Sequence, residues 1–306
     1  MTDLLIEKIR QVRNPVCVGL DTSLEYLPEQ MQKKCRTFSD AGKAITEFNF
    51  ALIEKLKPLI PAVKVQVAYY EMYGIPGMQA FQATLEAAKN AGLIVISDCK
   101  RNDIGSTAAC YSAAHLGDTQ IGERRFRAFP ADYLTVNGYL GVDGIEPFLA
   151  DCRKNDKGIF VLVKTSNPSS GQLQNRKFEN GETLFEAVAA LVEDWGKDSV
   201  GKYGYSNVGA VVGATHPEEA AILRQKLKHT LFLIPGYGAQ GGKSDDLAVC
   251  FDAHGNGGIV NNSRGILCAY KSEKYKGYEY ASAAAQAVID MREDILGALK
   301  RAGKAL

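Results

Sequence analysis

Leu93-Ile94-Val95-Ile96-Ser97-Asp98-Cys99-Lys100-Arg101-Asn102-Asp103-Ile104-Gly105 is an apolar run of strand character that stops abruptly in charge, with Asp98, Lys100 and Asp103 spaced D-x-K-x-x-D. Side chains alternate along a strand, so a strand that persists to Lys100 turns Asp98 and Lys100 to one face. Asp103 then falls in the loop beyond the strand end. Charges of both signs at the tip of a buried strand are costly unless they are paired or hydrogen-bonded. A structural Asp–Lys pair, or an Asp capping the next helix, would account for a lone D-x-K. The third charge, and a second lysine inside another apolar run, Ala62-Val63-Lys64-Val65-Gln66-Val67-Ala68, fit a catalytic cluster better.

Outward from this stretch, short apolar runs alternate with amphipathic ones. Strands are expected over Pro15–Asp21, Ala62–Ala68, Ile94–Lys100, Tyr133–Asn137, Gly158–Thr165, Val208–Gly213, Leu231–Pro235 and Gly258–Asn261. Helical spacing marks Ser39–Lys57, Gly77–Asn90, Gly105–Gly117, Val142–Asp151, Leu184–Trp195 and Tyr280–Lys300. Thr215 and Glu218 read as a capping box that starts the helix after strand six. Eight strands alternating with helices predict an α/β fold, a (β/α)8 TIM barrel, rather than an open doubly wound sheet. With no linker or compositional break, residues 1–306 read as a single barrel domain. The irregular stretches near Gly105–Ala131 and Ser166–Gly181 are too long for ordinary connections and read as insertions in the loops after strands three and five.

Composition narrows the function classes. The net charge of +1 offers no general attraction to nucleic acid or an anionic membrane, so any anion is bound locally. The N-terminus lacks a signal-peptide pattern, and no apolar run approaches the length of a membrane span. Seven scattered cysteines, without a C-x-x-C pair, suit a reducing cytoplasm. Glu123-Arg124-Arg125-Phe126-Arg127 reads as a solvated basic patch.

Active-site groups of a barrel come from the C-terminal ends of its strands. The polar residues expected there are Asp21, Lys64, Asp98 with Lys100, Asn137, Ser166, Gln240 and Arg264. Pro235-Gly236-Tyr237-Gly238-Ala239-Gln240-Gly241-Gly242-Lys243 satisfies G-x-G-x-x-G in letter, but that fingerprint belongs to a first βα turn with an acidic residue at the next strand end. Loops after strands seven and eight commonly bind phosphate, and here they supply glycines and Arg264. Plain turns and a surface cation would explain those residues singly; together they favour a phosphate site. The four histidines show no metal-ligand spacing, and no serine or cysteine sits in a nucleophile motif, so no metal is expected.

These residues resemble the orotidine 5′-phosphate decarboxylase family, in its longer bacterial (type 2) branch. The resemblance runs through Val18-Gly19-Leu20-Asp21, Val63-Lys64-Val65-Gln66, Ser97–Ile104, Lys164-Thr165-Ser166-Asn167-Pro168, Pro235–Gly242 and Ser263-Arg264-Gly265. It implies loss of carbon dioxide from orotidine monophosphate, giving uridine monophosphate, with neither cofactor nor metal. It assigns the charged network to Lys64, Asp98, Lys100 and Asp103, with Asp103 and Thr107 entering from the partner subunit of a homodimer whose sites are shared. Asp21 and Lys64 would hold ribose hydroxyls, Ser166 the pyrimidine, and Gln240 and Arg264 the phosphate. A metal-dependent sugar-phosphate decarboxylase or aldolase of the same superfamily, and a non-catalytic phosphometabolite-binding protein, stay open as alternatives.

Overall fold

The computed structural model describes residues 1–238 and 242–306. Eight parallel strands close into a barrel: β1 (Val16–Gly19), β2 (Ala62–Gln66), β3 (Ile94–Arg101), β4 (Tyr133–Val136), β5 (Gly158–Lys164), β6 (Val208–Val212), β7 (Phe232–Ile234) and β8 (Gly258–Asn262). Each strand pairs with its neighbours in sequence, and β8 closes on β1. The (β/α)8 expectation therefore holds.

Alternation divides the strand residues between two apolar layers. Val63, Val65 and Val95 face outward and pack with Phe48, Phe81 and Leu85 of the surrounding helices. Ala62, Ile94, Ile96, Tyr133 and Phe160 fill the barrel interior. The base of that interior is closed by an amphipathic helix, Thr2–Val12, absent from the sequence reading, whose Leu5, Ile6 and Ile9 join the same cluster. Burying each such side chain is worth about 1.5–3 kcal/mol. Thr2 Oγ1 sits 2.8 Å from Tyr133 OH and donates to Ser206 O, which fixes where the helix begins.

Two helices carry complete capping boxes, Thr37 with Asp40 and Thr183 with Glu186. The box expected at Thr215 does not form: the helix is Pro217–Lys226, with His216 at its cap. Proline suits the first helical turn, where its missing N–H is not needed, so Thr215 is left outside. Its hydroxyl donates instead to Ser166 O, 3.1 Å away. The helix expected from Val142 starts at Glu146, after a short 3-10 turn at Val142–Gly144. The long stretch after β3 holds the helix Gly105–His115 and an exposed antiparallel hairpin, Thr119–Ile121 with Arg124–Phe126. Arg124, Arg125 and Phe126 of the basic stretch thus form one arm of that hairpin. No helix among the described residues is long and apolar enough to cross a membrane.

Candidate active site

The inward positions at the C-terminal end of the barrel are polar where those at its base are apolar. Lys64 on β2 lies beside Gly19 of β1 and Ile96 of β3, and Gln66 lies beside Asp98. Lys64 Nζ therefore reaches two carboxylates, Asp21 Oδ1 at 3.1 Å and Asp98 Oδ2 at 2.8 Å. Gly19 permits this crowding, since a Cβ there would lie 1.9 Å from Ser263 Oγ. Ser263 Oγ in turn donates to Asp21 Oδ2 at 2.7 Å.

Asp98 is buried and accepts four hydrogen bonds. Lys64 Nζ (2.8 Å) and Gln66 Nε2 (3.0 Å) reach Oδ2; Lys100 Nζ and Thr135 Oγ1, each at 2.8 Å, reach Oδ1. Burial pushes its carboxyl up, but the charges of Lys64 and Lys100 outweigh burial and hold it well below the usual carboxylate range. Burial likewise pulls the Lys64 ammonium down, and Asp21 with Asp98 reverse this, raising it above the ordinary lysine value. Both groups stay charged at neutral pH.

Lys100 does not reach Asp98 by simple alternation. The β3–β4 register shifts between Ser97 and Arg101, and Lys100 takes the left-handed conformation, φ 46°. Such a backbone costs a non-glycine residue about 1–3 kcal/mol. Lys100 N donates to Thr135 Oγ1 at 3.0 Å, so one threonine holds both the bulge and the carboxylate. The bulge leaves the Lys100 side chain about half exposed (46%), whereas Lys64 is buried. The cluster thus has a closed ammonium and an open one.

The open ammonium lines a cavity of about 630 Å³ that also takes in Asp21, Lys64, Asp98, Ser166 and Arg264. Six of the nine expected site residues are therefore brought together. Arg264 is exposed at the start of the helix Arg264–Leu267. Ser166 is held from behind by Thr215 and by Gly213, where a Cβ would come within 2.8 Å of the Ser166 backbone. On the glycine loop, Gly236 (φ 98°) and Gly238 (φ 70°) take conformations that side chains disfavour. Tyr237 before the loop's centre and Ser244 after it both bond Asp294. Gln240 lies outside the described residues.

Asp103 and Thr107 do not line the cavity of their own chain. Asp103 Oδ1 accepts the N–H of Ile104 at 2.8 Å, and Thr107 is exposed on the helix Gly105–His115. Asn137 lies past the end of β4, where its side chain accepts the Tyr139 N–H. Gln66, Thr135 and Ser263, which the sequence placed in its motifs and strands without singling them out as site residues, are direct partners of the two carboxylates. Their alternation was a usable signal for two of them: Gln66 is two residues from Lys64, and Thr135 two from the inward Tyr133.

A barrel with paired lysines and aspartates at its strand ends can be compared with known proteins as a whole. The sequence model described as "Orotidine 5'-phosphate decarboxylase / HUMPS family" matches residues 14–278. The chain is 44% identical to the orotidine 5′-phosphate decarboxylase of Caldicellulosiruptor saccharolyticus over 289 residues, 92% of this chain and 93% of the relative. It is 40% identical to that of Clostridium acetobutylicum over 294 residues, 96% and 98% of the two chains. The solved structure of Leishmania donovani OMP decarboxylase superposes with a TM-score of 0.73 at 30% identity, covering 98% of each chain. Sequence, barrel and extent of match agree along nearly the whole length, and the chain belongs to the orotidine 5′-phosphate decarboxylase / HUMPS family.

Proposed function

We propose that this chain releases carbon dioxide from orotidine 5′-monophosphate to give uridine 5′-monophosphate, the last step of de novo pyrimidine synthesis. The observation that carries the reading is the half-exposed Lys100 ammonium, fixed 2.8 Å from a buried carboxylate in a cavity that Arg264 also lines. When the bond between ring carbon and carboxylate breaks, the electron pair stays on the ring carbon, where no conjugated group takes it up. An ammonium already oriented beside that carbon stabilises the transition state more than the substrate. A Lys100 proton then passes to the carbon, so hydrogen replaces the departed carbon dioxide and solvent reprotonates the amine. Asp98 holds Lys100 in place and sets a negative charge near the carboxylate that must leave.

In the same reading Asp21 and Lys64 take the ribose hydroxyls, Ser166 the pyrimidine, and Arg264 with Gln240 the phosphate. Arginine suits the last role because its planar donors match phosphate oxygens. Asp103 and Thr107 complete the site of a second copy in a homodimer. Support comes from the rim around Asp103, where Met72, Ile75, Ile104, Tyr139, Leu140 and Val142 are exposed. These loops are neighbours: Arg101 reaches Glu71 at 3.3 Å, and Gly144 packs beside Asn102 and Asp103. Exposed apolar side chains gathered on neighbouring segments suit burial against a partner. The cysteines, of which Cys17, Cys99, Cys152 and Cys250 are buried, suit a cytoplasmic enzyme.

A metal-dependent sugar-phosphate decarboxylase or aldolase would need the same carboxylates for a cation, yet two of the four donors on Asp98 are ammonium groups. The reading is tested by incubating the purified protein with orotidine 5′-monophosphate and a chelator and following pyrimidine absorbance. Steady conversion to uridine 5′-monophosphate is expected. Well-folded protein without turnover contradicts the assignment.

A further inference from the structure

Behind the barrel wall, away from the cavity, four polar side chains are wholly buried together: Thr22, Asn49, Tyr70 and Thr84. They come from four elements, namely the loop after β1, the helix Phe38–Leu56, the short helix Ala68–Glu71 after β2, and the helix Gly74–Asn90. Buried polar groups are retained at a cost unless every donor and acceptor is used. Here the accounting closes. Tyr70 OH donates to Leu20 O at 2.9 Å, and Thr84 Oγ1 donates to Ala80 O at 2.7 Å. With those protons committed, both oxygens are left to accept, and Asn49 Nδ2 donates to Tyr70 OH at 2.8 Å and Thr84 Oγ1 at 3.1 Å. Asn49 Oδ1 is then free to accept from Thr22 Oγ1 at 2.7 Å. Turning the amide over would break this directional chain.

The two ends of the chain flank one residue. Leu20 and Thr22 are the neighbours of Asp21, and both are tied to the same cluster, one by its carbonyl and the other by its hydroxyl. Tyr70 leaves from the end of β2, the strand that carries Lys64, so the cluster also fixes the Asp21 loop against that strand. Leu20 N adds a bond to Lys64 O at 2.7 Å. The outcome is the 3.1 Å contact between Lys64 Nζ and Asp21 Oδ1.

We propose that Asn49 is a positioning residue for substrate recognition, acting through Thr22 and Tyr70 to hold the Asp21 carboxylate where a ribose hydroxyl meets it. The proposal rests on the reading of Asp21 given above. Thr22 is the link that can be cut alone, since valine keeps its shape and removes its hydroxyl.

The test is a double-mutant cycle on steady-state decarboxylation. Thr22→Val should lower kcat/KM for orotidine 5′-monophosphate about tenfold, chiefly through KM, because a displaced binding group weakens attack geometry and affinity steeply. Thr22→Ser, which keeps the hydroxyl, should restore it. Asn49→Leu should fall with Thr22→Val. In an Asp21→Ala background, Thr22→Val should cost less than about twofold, since the group it positions is gone. A full tenfold loss in both backgrounds means that the cluster serves stability alone and overturns the proposal. An Asp21→Ala protein as active as wild type overturns the reading of Asp21 and the proposal with it.

Discussion

The barrel holds two buried aspartates each clasped by two lysines, one at either end. At the base, Asp132 accepts Lys89 Nζ on both oxygens at 2.8 Å, Lys157 Nζ at 3.0 Å and the Val95 N–H at 3.0 Å. At the top, Asp98 accepts Lys64, Lys100, Gln66 and Thr135 at nearly the same distances. Burial pushes both carboxyls up and the flanking ammonium groups bring both below the ordinary range. Chemistry and charge therefore do not separate them. Access does: the upper cluster borders the 630 Å³ cavity and presents an ammonium to it, whereas Asp132 is not among the residues lining that cavity. On the proposed function, the same Lys–Asp–Lys cluster serves the fold at the N-terminal end of the barrel and the reaction at the C-terminal end, the face where barrel enzymes place their active sites.

The largest effect expected from this contrast is at Lys100. Lys100→Ala should lower kcat by roughly a thousandfold or more, since it removes both the stabilising charge and the proton donor. Its melting temperature should move by no more than about 2–4 °C, because the side chain is half exposed. Activity close to wild type in well-folded Lys100→Ala protein would erase the distinction between the clusters.

Arg264→Ala should cost about 10- to 100-fold in kcat/KM on orotidine 5′-monophosphate, the worth of a charge-assisted contact of about 1.5–3 kcal/mol. On the unphosphorylated nucleoside the loss should be small. Equal losses on the two substrates would take Arg264 away from the phosphate.

Asp132 should show the reverse pattern. Asp132→Asn leaves the buried Lys157 ammonium without its partner and should destabilise the fold by roughly 3 kcal/mol in urea unfolding at pH 7. Folded protein should keep kcat/KM within about twofold, because nothing in the cavity touches Asp132. Its folded-state pKa is depressed, so its contribution is present above the unfolded value of about 3.9 and is lost as pH falls through the folded one. Asp132→Asn should accordingly flatten the acid limb of the stability profile below about pH 4. A kcat change without a stability change would place Asp132 with the upper cluster.

Much of this was legible in the sequence because charge stands out against apolar strands: two apolar runs stop at Asp21 and Asp98, a third encloses Lys64, and eight such runs imply a barrel. The lower cluster was not, since Lys89, Asp132 and Lys157 come from three separate elements and meet only in the fold. Alternation gave the right neighbours for Lys100 by the wrong route, because the register shift and left-handed backbone depend on Thr135 across the ladder. Thr215 looked like a cap until Pro217 set the helix start. Ser263 carries no signal by itself, as serine is common in every loop; only the missing Cβ of Gly19 makes room for it.

In the proposed homodimer, Asp103 of the partner subunit completes the open cluster. Lys100→Ala and Asp103→Ala proteins should each be nearly inactive alone. Unfolded and refolded together in equal amounts, about half of the dimers are mixed, and each mixed dimer has one site with both residues intact. Recovery of about a quarter of wild-type activity is the expected result. Activity no higher than that of the separately refolded variants, with subunit exchange verified by mass, would mean that Asp103 acts within its own chain or not at all.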